Sequence, residues 1–152
     1  MQERLQQHLQ DYWDGELPVG SAVIIPAHNK DFKDVKQENM NEGKPIKYLI
    51  SAPTMRVPYD VSDTVNSYLA FRAILRAVMA HNHDHKDDQI KSFLRPGLGT
   101  AVGQMPFERC ARQMKSAYNA VVLGNEKNLV GPEDLWQVEE HHSHYLLHSD
   151  DI

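Results

Sequence analysis

The chain has 152 residues, with 16 basic and 21 acidic side chains for a formal net charge of -5, and 41% apolar against 24% charged residues. One domain's length with near-average composition excludes a two-domain protein, a disordered chain, a collagen-like repeat and a continuous coiled coil, and the acidic balance leaves no footprint for a nucleic-acid backbone. No apolar run reaches the roughly 20 residues that cross a bilayer, and MQERLQQHLQ lacks the basic-then-apolar start of a signal peptide, so the expectation is a soluble, cytoplasmic protein without a membrane partner.

In chain order, Leu5, Leu9, Tyr12 and Trp13 form a stripe at helical spacing among Gln, Glu and Asp over residues 1–14, and Gly15 ends that helix. The cluster Ala22, Val23, Ile24 and Ile25, bounded by Gly20 and Pro26, predicts a buried strand within 17–26. Residues 27–45 are polar without a period of either kind and read as a surface loop. A second strand is expected over 46–52, stopped by Pro53. Ser62 or Asp63 then caps a helix over 64–80, whose Val65, Tyr68, Leu69, Phe71, Leu75, Val78 and Met79 make a broad apolar face.

The run HNHDHKDD reads as a polar connection over 81–88, and IKSFL as a short third strand over 90–94. A glycine-rich loop follows, and Pro106 opens a helix in which Phe107, Cys110, Ala111, Met114, Ala117, Tyr118 and Val121 recur at helical spacing before Gly124. A further helix is expected over 132–148, so 1–152 is one domain with a surface loop at 27–45 and a helical tail at 125–152. Strand, helix, strand, glycine loop, helix is an α/β order, and a crossover helix implies parallel neighbouring strands with ligands at their carboxyl ends.

Gly97, Gly99 and Gly103 stand between a predicted strand and a predicted helix, where backbone N–H groups can surround an anion at the helix's positive end. The spacing is neither the dinucleotide fingerprint nor the P-loop. About ten residues fill a connection that usually takes about 2 to 6, and no Ser, Thr, Asp or Asn precedes Pro106 to cap the helix. Thr100 offers a hydroxyl. A turn that uses glycine only for close packing fits the same residues.

The segments KYLISAPTMRVPYDVSDTVNSYLAFRAILRAV and IKSFLRPGLGTAVGQMPFERCARQMKSAYNAV resemble the macro-domain family, which binds ADP-ribose, over roughly residues 17–123. The most specific piece is PGLGT followed by VG and a proline, similar to the family's second phosphate-binding loop. The resemblance implies a three-layer α/β/α fold, and it implies that Gly97, Leu98, Gly99, Thr100, Ala101, Val102 and Gly103 line the diphosphate and ribose. Pro53, Thr54 and Met55 then lie at the neighbouring strand end, with Arg56 at the pocket's edge.

Family loops usually carry glycine at the position of Ala101, and often at that of Gln104. No counterpart is found for the family's opening strands, their adenine-reading aspartate or the first phosphate loop. The expected sheet is therefore mixed and reduced at its N-terminus, with a homo-oligomer completing it as one outcome. No cofactor and no metal are assigned. ADP-ribose or a related nucleotide phosphate is the expected ligand, and hydrolysis has no identified base. The alternative is a degenerate structural or protein-interaction module without nucleotide.

Other chemistry-bearing residues are read more plainly. Histidine is abundant at nine residues, with His81, His83 and His85 in one run and His141, His142, His144 and His148 in the tail. Such imidazoles can ligate zinc, copper or nickel, but a solvated loop and a polar helix face explain them. Cys110, the single cysteine, excludes an intrachain disulfide and a thiolate zinc cluster, and its helical position predicts a buried, inert thiol.

Overall fold

The computed structural model describes residues 2–29 and 40–124, together with positions 136, 139, 140, 142, 143 and 146. Its elements are α1 (Gln2–Trp13), β1 (Val23–Pro26), β2 (Met40–Asn41), β3 (Lys44–Pro45), β4 (Tyr48–Ser51), α2 (Asn66–Asp84) and α3 (Phe107–Val121). The class is mixed, with helices and two small antiparallel sheets. The helix expected over 132–148 lies outside the described residues apart from those six positions in the tail. No helix among the described residues is long and apolar enough to cross a membrane.

β1 and β4 carry the two expected strands, each shorter than its apolar run. They pair antiparallel, with Val23 opposite Ser51 and Ile25 opposite Leu49, which replaces the expected parallel neighbours. Within 27–45, expected as a surface loop, β2 and β3 form a tight hairpin through Glu42 and Gly43, whose φ values of 48° and 75° match the two-residue turn that joins antiparallel strands. In β1 the pleat alternates, so Val23 and Ile25 are buried while Pro26 is exposed.

α2 runs antiparallel to β4. Asn66 Nδ2 donates to the Thr54 carbonyl at 2.8 Å at one end, and the Tyr48 ring meets His81 edge-on at 4.9 Å at the other. α2 packs on β1 and along α3. The core lies between the two long helices, with Phe71, Ile74 and Leu75 of α2 against Cys110, Met114 and Ala117 of α3, closed by Val61, Leu98 and Met105.

Three sequence expectations change here. α2 extends through His81 and His83 to Asp84 instead of ending near residue 80, because His85 N–H still finds the His81 carbonyl at 2.8 Å. Residues 90–94 form no strand. The Asn82 side chain takes both backbone groups of Ile90, accepting its N–H at 2.7 Å and donating to its carbonyl at 3.0 Å, so Ile90 is satisfied without a ladder. On α3, Phe107 and Tyr118 from the expected apolar face are exposed, while polar Gln113 is 1% exposed.

Gln113 is buried because the start of α2 needs it. Neither Ser62 nor Asp63 caps that helix; the cap position is Val65, which has no capping side chain, and Thr64 Oγ1 accepts only the Asn66 N–H at 3.3 Å. Gln113 Oε1 accepts the Tyr68 N–H at 3.1 Å and Gln113 Nε2 donates to the Thr64 carbonyl at 2.8 Å. One turn earlier on α3, Arg109 Nη1 donates to the Ser62 carbonyl at 2.5 Å and to Asp63 at 2.9 Å. Replacing Gln113→Leu keeps the volume but withdraws both bonds from part-buried backbone groups, and is expected to cost about 1–3 kcal/mol. Urea unfolding should show a lower midpoint at unchanged slope.

Candidate functional site

The loop over 97–103 is held from below. Leu98 is buried, and its carbonyl accepts the Ser67 hydroxyl of α2 at 2.7 Å and the Cys110 thiol of α3 at 3.4 Å. Cys110 is thus buried with its hydrogen committed inside the protein, as its position on the helix suggested.

Above that anchor the chain turns back on itself. The Gly99 carbonyl accepts the Met105 N–H at 3.0 Å, Ala101 accepts Gln104 N–H at 3.0 Å, and Gly103 accepts Val61 N–H at 2.8 Å. Gly99 has φ +77°, a left-handed conformation that glycine adopts freely. A Cβ on Gly103 would lie 2.6 Å from the Gly99 carbonyl oxygen and from Val61 Cγ2, and 2.8 Å from Met55 Cε.

The loop turns its carbonyls inward and leaves N–H groups over. Among the described residues, those of Thr100, Ala101, Val102 and Gly103 meet no acceptor. α3 starts directly after it with Pro106 at the cap and no side-chain bond to its first turn, so the positive end of a 15-residue helix adjoins the same loop. Ala101 and Val102 are exposed and line the outer side.

Of the residues expected around the pocket, Met55 reaches the loop, with its Cε against Gly103. The Thr54 carbonyl is bound by Asn66 at the start of α2. Arg56 does not face the loop as a bare cation: its guanidinium is paired with Glu16 in a bidentate contact at 2.6 and 3.1 Å. Thr100 Oγ1 donates to the Gly97 carbonyl at 3.1 Å, so its proton is used within the loop. Arg95 lies over the Phe71 ring at 5.3 Å.

Sequence reasoning missed a second polar group at the far end of α2. Asp88 accepts the Tyr48 hydroxyl at 2.5 Å and the Lys47 ammonium at 2.9 Å. Its backbone carbonyl accepts His81 Nε2 at 3.1 Å, and His81 stacks on His85 at 4.4 Å. The pairing spans forty residues of chain, so no local spacing signals it. The hydrogen bond to Asp88 pushes the Tyr48 hydroxyl up to about 12, and the same bond, with Lys47, holds the Asp88 carboxyl below the usual carboxylate range. Among the described residues no group of three or more His, Cys, Asp or Glu side chains could hold a metal; His141, His144 and His148 lie outside them.

Comparison with known protein families, with curated proteins and with solved structures finds no match to this chain.

Two outcomes follow from this geometry. Gly103→Ala forces a methyl against a backbone carbonyl and is expected to lower stability by about 1–3 kcal/mol, read as a fall in thermal midpoint. The Tyr48–Asp88 bond needs a neutral phenol and an ionised carboxylate. A raised phenol keeps its stabilisation below the ordinary value of 10.0 and loses it as pH climbs toward about 12, whereas a lowered carboxyl keeps its own above the ordinary 3.8 and loses it as pH falls further. The stability difference between wild type and Tyr48→Phe is therefore expected to be constant across neutral pH and to shrink on both flanks, as measured by unfolding at a series of pH values.

Proposed function

We propose that the chain is a macro-domain-like module that binds the diphosphate of ADP-ribose or a related nucleotide. The loop of Gly97, Leu98, Gly99, Thr100, Ala101, Val102 and Gly103 supplies the amides, with Thr54, Met55 and Arg56 at the rim. The observation that carries this reading is the set of loop N–H groups without an acceptor among the described residues, next to the uncapped start of α3. Backbone donors at a helix's positive end suit a phosphate and need no lysine. On this reading the small sheet and its helices are a reduced form of a three-layer α/β/α arrangement. The rim and loop side chains include no carboxylate or imidazole to activate water, so the proposal is binding and not hydrolysis.

One observation favours a second reading, a structural or protein-interaction module without nucleotide. The seat of a Cβ on Gly103 is filled by Val61 and Met55, so close packing alone accounts for that glycine. Arg56 is likewise engaged by Glu16.

Calorimetric titration with ADP-ribose separates the two. The nucleotide reading expects saturable binding at micromolar strength, about -8 kcal/mol, and at least about a tenfold loss in Ala101→Glu, which places a negative charge on an exposed loop position without burdening the core. Absence of heat and of thermal stabilisation at millimolar ligand leaves the second reading.

A further inference from the structure

Residues 90–98 are stretched between two fixed points on α2. Ile90 is bound on both backbone groups by Asn82, and the Leu98 carbonyl is bound by Ser67. The helix rises about 22 Å from Ser67 to Asn82, and the peptide from Ile90 to Leu98 reaches about 26 Å at full strand extension. The segment is therefore drawn out to most of that length, although it belongs to no sheet.

Its backbone is bare. Among the described residues, the N–H groups of Lys91, Ser92, Phe93, Leu94 and Arg95 meet no acceptor and the carbonyls of Lys91 to Arg95 meet no donor. Phe93 faces inward beside Phe71, with ring centroids 6.4 Å apart, and Arg95 lies on the same Phe71 ring. By the pleat, Ile90, Ser92 and Leu94 share the other side, and Leu94 is 83% exposed. Over 91–95, ahead of Pro96, an unpaired edge without proline and with an uncovered leucine is a template for another strand.

We propose that this edge pairs antiparallel with the same segment of a second copy of the chain, about a two-fold axis at Ser92. The pattern of side chains complements itself in that register. Ile90 faces Leu94 of the second copy, Ser92 faces its own equivalent, and Lys91 faces Phe93. In that register Arg95 faces Gln89 of the second copy, next to Asp88, which Lys47 and Tyr48 already hold, and to Asp87. A parallel pairing in register would set Lys91 against Lys91 and Arg95 against Arg95, so charge selects the antiparallel arrangement. The interface is isologous and closes after two copies.

Sedimentation of the full chain over a concentration series tests this. A dimer of twice 17.4 kDa is expected, and Leu94→Lys is expected to weaken it by about tenfold or more. Leu94 is almost fully exposed, so its replacement should leave circular dichroism and thermal midpoint of the dilute monomer unchanged. Facing residues of an antiparallel pair lie within disulfide reach, about 4.5–5.5 Å between Cα atoms. With oxidised glutathione, Ser92→Cys should therefore cross-link two chains, whereas Lys91→Cys should not. A chain that stays monomeric throughout overturns the proposal, and so does a dimer indifferent to Leu94→Lys in which Cys at position 92 fails to cross-link.

Discussion

The start of α2 is a helix end that a second helix completes. Val65 has no side-chain group for the first-turn amides, and Thr64 Oγ1 reaches only that of Asn66. Gln113 meets the demand with one amide that both accepts and donates, and Arg109 on the same face of α3 secures the preceding turn. The two helices cannot slide or rotate independently, since either motion would strand buried polar groups at a cost above that of any one apolar contact between them.

That joint also positions the glycine loop. The Leu98 carbonyl sits where Ser67 of α2 and Cys110 of α3 both point, so the loop leaves the core at a defined place and direction. Val61 and Met55 then close over Gly103. The same glycines serve packing below and free N–H groups above, and this is why residue spacing alone leaves a ligand loop and a packing turn equally open. An anion's presence depends on the upper side, while the identity of Gly103 follows from the lower.

The sheet is a weaker element. Two short strands seldom stand alone in water, and β1 and β4 persist because α2 covers one side, with Val23 and Ile25 in the core. At the opposite end of α2 from the loop, Asp88 ties the beginning of β4 to the turn after the helix through Tyr48 and Lys47. The strand and the stretched 90–98 segment lie along one helix without a ladder between them, which leaves the protein with unsatisfied backbone along an edge.

The existence of the helices, the two strands and the glycine loop was legible in the residues. Apolar periodicity marks α2 and α3, β-branched runs mark β1 and β4, and Pro106 and the glycines punctuate the loop, all signals carried within about ten neighbouring residues. The place of Cys110 inside the core was legible for the same reason. What only the tertiary structure decided depends on partners far apart in the chain. The antiparallel pairing of β1 with β4 joins residues as distant as Val23 and Ser51, and over 90–94, where a strand was expected, Asn82 binds the Ile90 backbone and no strand forms. The burial of Gln113 answers the start of another helix, and Arg56, expected at the pocket's edge, is paired with Glu16. Hydrophobic patterning is a local property, whereas the satisfaction of polar groups is settled by whichever partner folding brings within hydrogen-bond distance.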